Sequence, residues 1–165
     1  MIRFIFAVSV LLSAGTVNAS CLPTAQPVTA YLAKHPAWHI VNMSDLGPDD
    51  TDLWRKYRGN ACPGQAQADL KGNGQISYGL VLLSKEGLRA VILLDDNGQY
   101  TPQILFSDKD DLEVVHTAEP GPAYEFETNR RVDIPHQSFV FEHLESSATH
   151  YYWNNGKVES VTISD

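Results

Sequence analysis

The stretch Asp69-Leu70-Lys71-Gly72-Asn73-Gly74 alternates oxygen-bearing residues and glycines ahead of an apolar run that begins at Ile76. That is the layout of a calcium loop, where alternate positions supply the roughly six to eight oxygens the cation takes. Asp69 and Asn73 stand at ligand positions. Lys71, however, puts a positive charge where the ion would sit, and Ser77 stands where a further acid is needed. The ligand count favours a glycine-rich turn that keeps the shape without the metal, with Asp69 and Asn73 as the residues a cation would use. Histidine offers a second route to a metal. His35 and His39 are separated by Pro36 and so do not share a regular helical face, and there is no His-Glu-x-x-His zinc helix. His143 and His150 flank a short turn, and together with His116 they are the set that a metal-dependent hydrolase would use.

Covalent catalysis finds less. No Gly-x-Ser-x-Gly elbow presents a serine on a sharp turn. Paired carboxylates for glycoside hydrolysis must face each other across a cleft, whereas Asp95 and Asp96 are adjacent in a turn and Asp108, Asp110 and Asp111 crowd one loop. No phosphate-cradling glycine loop or dinucleotide fingerprint is present, so no cofactor is expected. These residues point to a binding protein rather than an enzyme.

The region from Thr117 to Gln137, rich in proline, glycine and charge, reads as a long loop, and long loops are where binding sites tend to lie. Within it Tyr124, Glu125, Glu127, Arg130, Arg131, Asp133 and His136 are expected to contact a partner. An aromatic anchor would carry most of the affinity, and the charges would set on-rate and specificity. Further on, Tyr151 and Trp153 share one face of a strand and Tyr152 takes the other. One face is core; for strand aromatics the commoner outcome is that both are buried.

The elements that must hold these residues are legible from pattern. Thr24 to Lys34 reads as a short helix, with Val28, Tyr31 and Leu32 on one face and Pro36 as the stop. Gly47-Pro48-Asp49-Asp50 starts a second helix, with Leu53, Trp54 and Tyr57 on its inner side and Gly59 ending it. Strands are expected at Trp38 to Met43, Ile76 to Leu83, Leu88 to Leu94, Tyr100 to Phe106, Leu112 to His116, Ser138 to Leu144, Thr149 to Trp153 and Lys157 to Ile163. Asn97-Gly98 and Asn155-Gly156 mark tight turns. The fold class is α+β: a meandering antiparallel sheet of about six to eight strands with two short helices near the N-terminus.

The N-terminus sets the compartment. Arg3, an apolar run from Phe4 to Ala14, and small residues ending at Val17-Asn18-Ala19 make the three-part pattern of a secretory signal, cleaved after residue 19. The run falls short of the roughly 20 apolar residues of a spanning helix, so no stable membrane anchor is expected. The mature chain, residues 20–165, suits one domain. In an oxidising compartment Cys21 and Cys62 are expected to pair. The formal charge of −8, which becomes one unit more negative when Arg3 is removed, argues against nucleic acid or anionic lipid as a partner.

Three segments carry a resemblance: Ala61-Cys62-Pro63-Gly64; Ala68-Asp69-Leu70-Lys71-Gly72-Asn73-Gly74; and Tyr78-Gly79-Leu80-Val81-Leu82-Leu83. With the ending Glu145-Ser146-Ser147-Ala148, Tyr151-Tyr152-Trp153 and Gly156, the chain resembles a group of small exported proteins of Gram-negative bacteria. Some envelope proteins of comparable build look like periplasmic immunity proteins or inhibitors of cell-wall hydrolases. The resemblance implies a protein partner, either an antibacterial effector toxin or a hydrolase, that is bound and blocked. Lys71 and Ser77 depart from the Asp-rich loop of that group.

Overall fold

The computed structural model describes Cys21, residues 25–108 and residues 112–164. The segment read as a signal peptide, residues 1–19, lies outside the described residues, as do Thr24, Asp110 and Asp111. The described chain contains two helices and eleven strands in three antiparallel sheets. The α+β class and the meandering sheet hold, but eleven strands replace the expected six to eight.

The first sheet contains β1 (His39–Ile40), β2 (Gln65–Ala68), β3 (Ser77–Ser84), β4 (Gly87–Asp96) and β5 (Gln99–Asp108). β3, β4 and β5 run as consecutive hairpins, while β1 and β2 share the other edge of β3, β1 against Leu82–Leu83 and β2 against Ser77–Leu80. The strand expected over Trp38 to Met43 is thereby shortened to two residues. At the junction the Val81 N–H donates to the Gly64 carbonyl at 2.9 Å and the Val81 carbonyl accepts from the Val41 N–H at 3.0 Å. Gly64 packs so closely that a Cβ there would lie 2.4 Å from the Val41 carbonyl oxygen. The Cys-Pro-Gly segment therefore ends in glycine because backbone abuts backbone.

The second sheet has the order β11 (Lys157–Ser164), β10 (Ala148–Asn154), β9 (Ser138–Glu142), β6 (Val114–Ala118). Asn97-Gly98 and Asn155-Gly156 each adopt positive φ at both residues, 54° and 84°, 49° and 83°, as two-residue hairpins demand. The two sheets pack face to face, and strand alternation sorts the side chains. Val81, Leu88, Ala90, Ile92 and Leu94 face inward and meet Val115, Phe139 and Phe141 of the second sheet. The opposite face of the first sheet, Leu80, Leu82, Val91 and Leu93, is covered by Val28 and Tyr31 of α1 (Gln26–Ala33). Each such fully buried aliphatic contributes about 1.5–3 kcal/mol.

α2 (Pro48–Arg58) begins at proline with Asp49 and Asp50 in its first turn and ends in basic residues before Gly59, which suits the helix dipole. Its inner face is narrower than expected. Only Trp54 is buried, its indole N–H donating to the Ala61 carbonyl at 2.8 Å, while Tyr57 is 64% exposed beneath Lys56. The disulfide Cys21–Cys62, Cα–Cα 5.3 Å, ties the start of the described chain to the segment before β2.

The third sheet corrects the reading of Thr117 to Gln137 as a long loop. Residues there form the end of β6 and a hairpin, β7 (Gly121–Tyr124) with β8 (Arg131–Ile134). Ala123, Val132 and Ile134 pack on Tyr152 and Val161, so the hairpin covers the outer face of the second sheet. Tyr152 is buried there, while Tyr151 and Trp153 pack against the main core. Both faces of this aromatic strand are covered. No described helix is long and apolar enough to cross a membrane.

Among the described residues, hydrogen bonds join the two sheets along one side. There the Val115 N–H donates to the Pro63 carbonyl at 2.7 Å, and the Thr117 hydroxyl donates to the Gln67 carbonyl at 2.7 Å, joining β6 to the β2 edge. On the other side β5 and β11 are not paired among the described residues, and a groove lies between them.

Candidate functional site

Alternation on the β7–β8 hairpin decides which predicted residues meet solvent. Ala123 pairs with Val132 on the inner face, so Tyr124 opposite Arg131 and Pro122 opposite Asp133 project outward. Tyr124 is 51% exposed, and the Arg131 guanidinium is bonded to Asp133 at 2.7 and 2.9 Å along the same face. The Asp133 hydrogen bond, then its charge and that of Tyr124, raise the Arg131 pKa.

The connecting turn is held from within. The Glu125 N–H donates to the Arg130 carbonyl at 2.9 Å and the Asn129 N–H to the Glu125 carbonyl at 2.8 Å, with Asn129 at φ 54°. The Glu125 carboxylate accepts two bonds from Arg130, both 3.2 Å, and another from the Thr128 hydroxyl. Arg130 and then Thr128 hold that carboxyl below its ordinary range. Glu125 and Arg130 thus shape the turn, while Phe126, 52% exposed, and Glu127 project from it.

The turn also docks on a strand edge. The Phe126 N–H donates to the Thr162 carbonyl at 2.9 Å, on the side of β11 away from β10. Alternate residues of a strand point the same way, so the N–H and C=O groups of Ser160 and Val158 line this same edge. Two adjoining grooves follow it and share Ser160. One, about 450 Å³, lies between Glu125–Glu127 and β11. The other, about 440 Å³, lies between β11 and Gln103–Leu105 of β5, with Arg130 on its bank. Ile104, 57% exposed, borders the second groove. It stands opposite Val91 on the outer face of the first sheet, just before a bulge at Leu105 that turns both Leu105 and Phe106 to the core. Glu159 on β11 is fixed by Asn154 at 2.8 Å and Lys157 at 3.0 Å, which hold its carboxyl low.

Of the seven predicted contact residues, the hairpin and its turn bring together Tyr124, Glu125, Glu127, Arg130, Arg131 and Asp133. His136 is not with them. It lies beyond β8, at the end of the hairpin away from the turn, with its imidazole against Gly72, where a Cβ would stand 2.2 Å from Nδ1. The expected contact set includes neither Phe126 nor Ile104. Phe126 had a signal, an aromatic between two glutamates before Thr128-Asn129; Ile104, within an apolar strand, had none.

The Asp69–Gly74 turn is closed by its own acid. Asp69 Oδ1 accepts from the Asn73 N–H at 3.0 Å and Oδ2 from the Gly74 N–H at 2.8 Å, while Asn73 Oδ1 accepts from the Gln75 N–H at 3.1 Å. Lys71 turns away to Asp96 at 3.7 Å and lies 4.9 Å over the Trp153 ring.

The histidines divide. His116 and His150 both pair across Val140 and so lie in one row of the second sheet. Arg58 and Glu142 approach His116 Nε2 at 2.8 and 3.6 Å, and Ser138 Oγ lies 3.1 Å from His150 Nδ1. Burial, then the charge of His116, pushes the His150 pKa down. Burial raises the Glu142 carboxyl, but the hydrogen bond and charge of His116 and the charge of Arg58 outweigh it and leave it lowered. His143 sits apart, in the β9–β10 connection, its backbone N–H on the Ser147 carbonyl at 2.8 Å. Among the described residues no three of His, Cys, Asp and Glu converge as metal ligands do.

Comparison with known proteins finds no matching family model, no matching curated protein and no matching solved structure.

Proposed function

We propose that this chain is an exported envelope protein, periplasmic after loss of residues 1–19, that binds and blocks a protein partner, an antibacterial effector or a cell-wall hydrolase. The observation that carries the reading is the pair of half-exposed aromatics, Tyr124 and Phe126, held outward on a hairpin whose turn is locked by Glu125 and Arg130. Exposed aromatics flanked by Glu127, Arg131 and Asp133 give the apolar centre and polar rim of a protein interface. The adjoining β11 edge, with Ile104 beyond it, extends that surface. A rigid hairpin presents its anchors with little ordering entropy left to lose. The disulfide suits an oxidising compartment.

The test is affinity capture with residues 20–165 as bait beside a Tyr124→Ala/Phe126→Ala variant, whose fold is checked by circular dichroism. A stoichiometric partner with a toxin or hydrolase domain, inhibited by the wild type and bound at least tenfold more weakly by the variant, is expected. A partner held equally by both proteins, or none in lysates of producing and competing cells at low salt, overturns the reading.

A further inference from the structure

A further concavity lies on the far side of the molecule, on the outer face of the first sheet. It is a groove of about 340 Å³ between α1 and the β4–β5 hairpin, near the low end of the roughly 300–1,000 Å³ that small-ligand pockets occupy. Leu93, 2% exposed, contributes to the floor, and Tyr100 and Pro102 rise on one side. Tyr100 donates its hydroxyl to the Ile76 carbonyl at 3.2 Å, which leaves its ring as the wall.

The other side is α1. His35 stacks on Tyr31 with ring centroids 4.3 Å apart, and its Nδ1 lies 2.9 Å from the Tyr31 carbonyl oxygen. A carbonyl can only accept, so Nδ1 carries the hydrogen and is committed to the helix, and the His35 ring serves the groove as a wall. Lys34 stands beside it on the rim. No aspartate or glutamate is among the lining residues, although the chain carries 20 acidic against 12 basic residues. The groove thus has apolar and aromatic walls with one cation, Lys34, on its rim, and the Asp95 carboxylate lies behind the far wall, accepting from the Gly98 N–H at 3.1 Å.

From this geometry we infer that the groove between α1 and the β4–β5 hairpin binds a small carboxylate with a flat or aliphatic body, its acid group at Lys34. The chemistry is shared by a free acid and by the C-terminal residue of a peptide. The site is separate from the β7–β8 hairpin, so the two readings stand or fall independently.

The test is saturation-transfer NMR and calorimetry on residues 20–165 with 3-phenylpropionate, its amide, and Ala-Ala-Phe with a free C-terminus. Saturable binding of the acid is expected, weakened at least fivefold for the amide and for Lys34→Met, and lost in Ala30→Trp, which fills the groove from an exposed position. Tighter binding of the tripeptide than of the acid assigns the site to peptide termini; the reverse assigns it to free acids. Equal binding of acid and amide, full binding to Ala30→Trp, or no saturable binding at millimolar concentration overturns the inference. Lys34→Met removes charge from an exposed side chain and keeps the test decisive if Ala30→Trp fails to fold.

Discussion

Replacing Gly64 with alanine should be among the most damaging single-methyl changes the chain can suffer. The added Cβ would lie 2.4 Å from the Val41 carbonyl oxygen, 2.7 Å from the Val41 nitrogen and 2.9 Å from Ile40 Cγ2. The first two are backbone atoms, which cannot rotate aside as a side chain can. Relief requires moving β1 or the Gly64 segment, and Val81 bonds to both, at 3.0 and 2.9 Å. Overpacking costs about 1–3 kcal/mol, and weakening two buried backbone hydrogen bonds adds about 1 kcal/mol each. The expected loss is about 3–5 kcal/mol, read as a drop in the urea midpoint at constant slope by tryptophan fluorescence. Gly121→Ala is the control: a Cβ there meets nothing within 4 Å, so stability should change by less than about 1 kcal/mol. A Gly64→Ala protein within about 1 kcal/mol of wild type would refute the account of the β1–β2 junction.

Three further outcomes follow from the site and the core. Glu125→Lys should speed hydrogen exchange of the Glu125 and Asn129 amides by placing a cation against Arg130, whereas Glu127→Lys should leave both unchanged; equal effects would mean the turn is not held by the Glu125–Arg130 pair. Because the folded protein depresses the His150 pKa, the unfolded chain binds more protons as pH falls below the ordinary value of 6.5. Stability present above that pH should be lost as pH falls through the folded pKa, and His150→Gln should flatten the loss in urea titrations between pH 7 and 5. Opening the Cys21–Cys62 bridge, 41 residues apart in sequence, by serine replacement should cost about 4 kcal/mol in the chain-entropy model, seen as a lower urea midpoint; an unchanged midpoint would mean the bridge constrains little.

Elements with several turns of evidence were legible in advance. Pro48 and Gly59 bracket α2, Asn97-Gly98 and Asn155-Gly156 make the hairpins they signal, and the dense runs around Val81 and Val91 are neighbouring strands. The β7–β8 hairpin was not legible. Each strand has four residues, so Ala123, Val132 and Ile134 give too few alternations to stand out against Gly121, Pro122 and the charges. β2 reads Gln-Ala-Gln-Ala, an alternation whose inner members are too small to announce a strand. Tyr57 misled because helical spacing to Trp54 speaks only of a shared face, not of whether the last turn reaches the core. The outward surface of the β7–β8 hairpin was legible in part: Tyr124 and its flanking charges could be picked out, but the split between Glu125 and Arg130, which bond each other, and the outward Phe126 and Glu127 depends on turn geometry.

The open side of the sandwich bears on assembly. Of the two strands bordering it, β5 is a poor template: Pro102 has no N–H to offer and the bulge at Leu105 breaks its line. β11 is capped at Thr162 by Phe126 and shifts register at Ile163, but from Lys157 to Thr162 it pairs with β10 without a break. Two copies meeting antiparallel along β11 would be related by a two-fold axis, each edge consumed by the other. Such contact is self-terminating, so any edge-to-edge association through β11 at high concentration stops at a pair rather than growing into a filament.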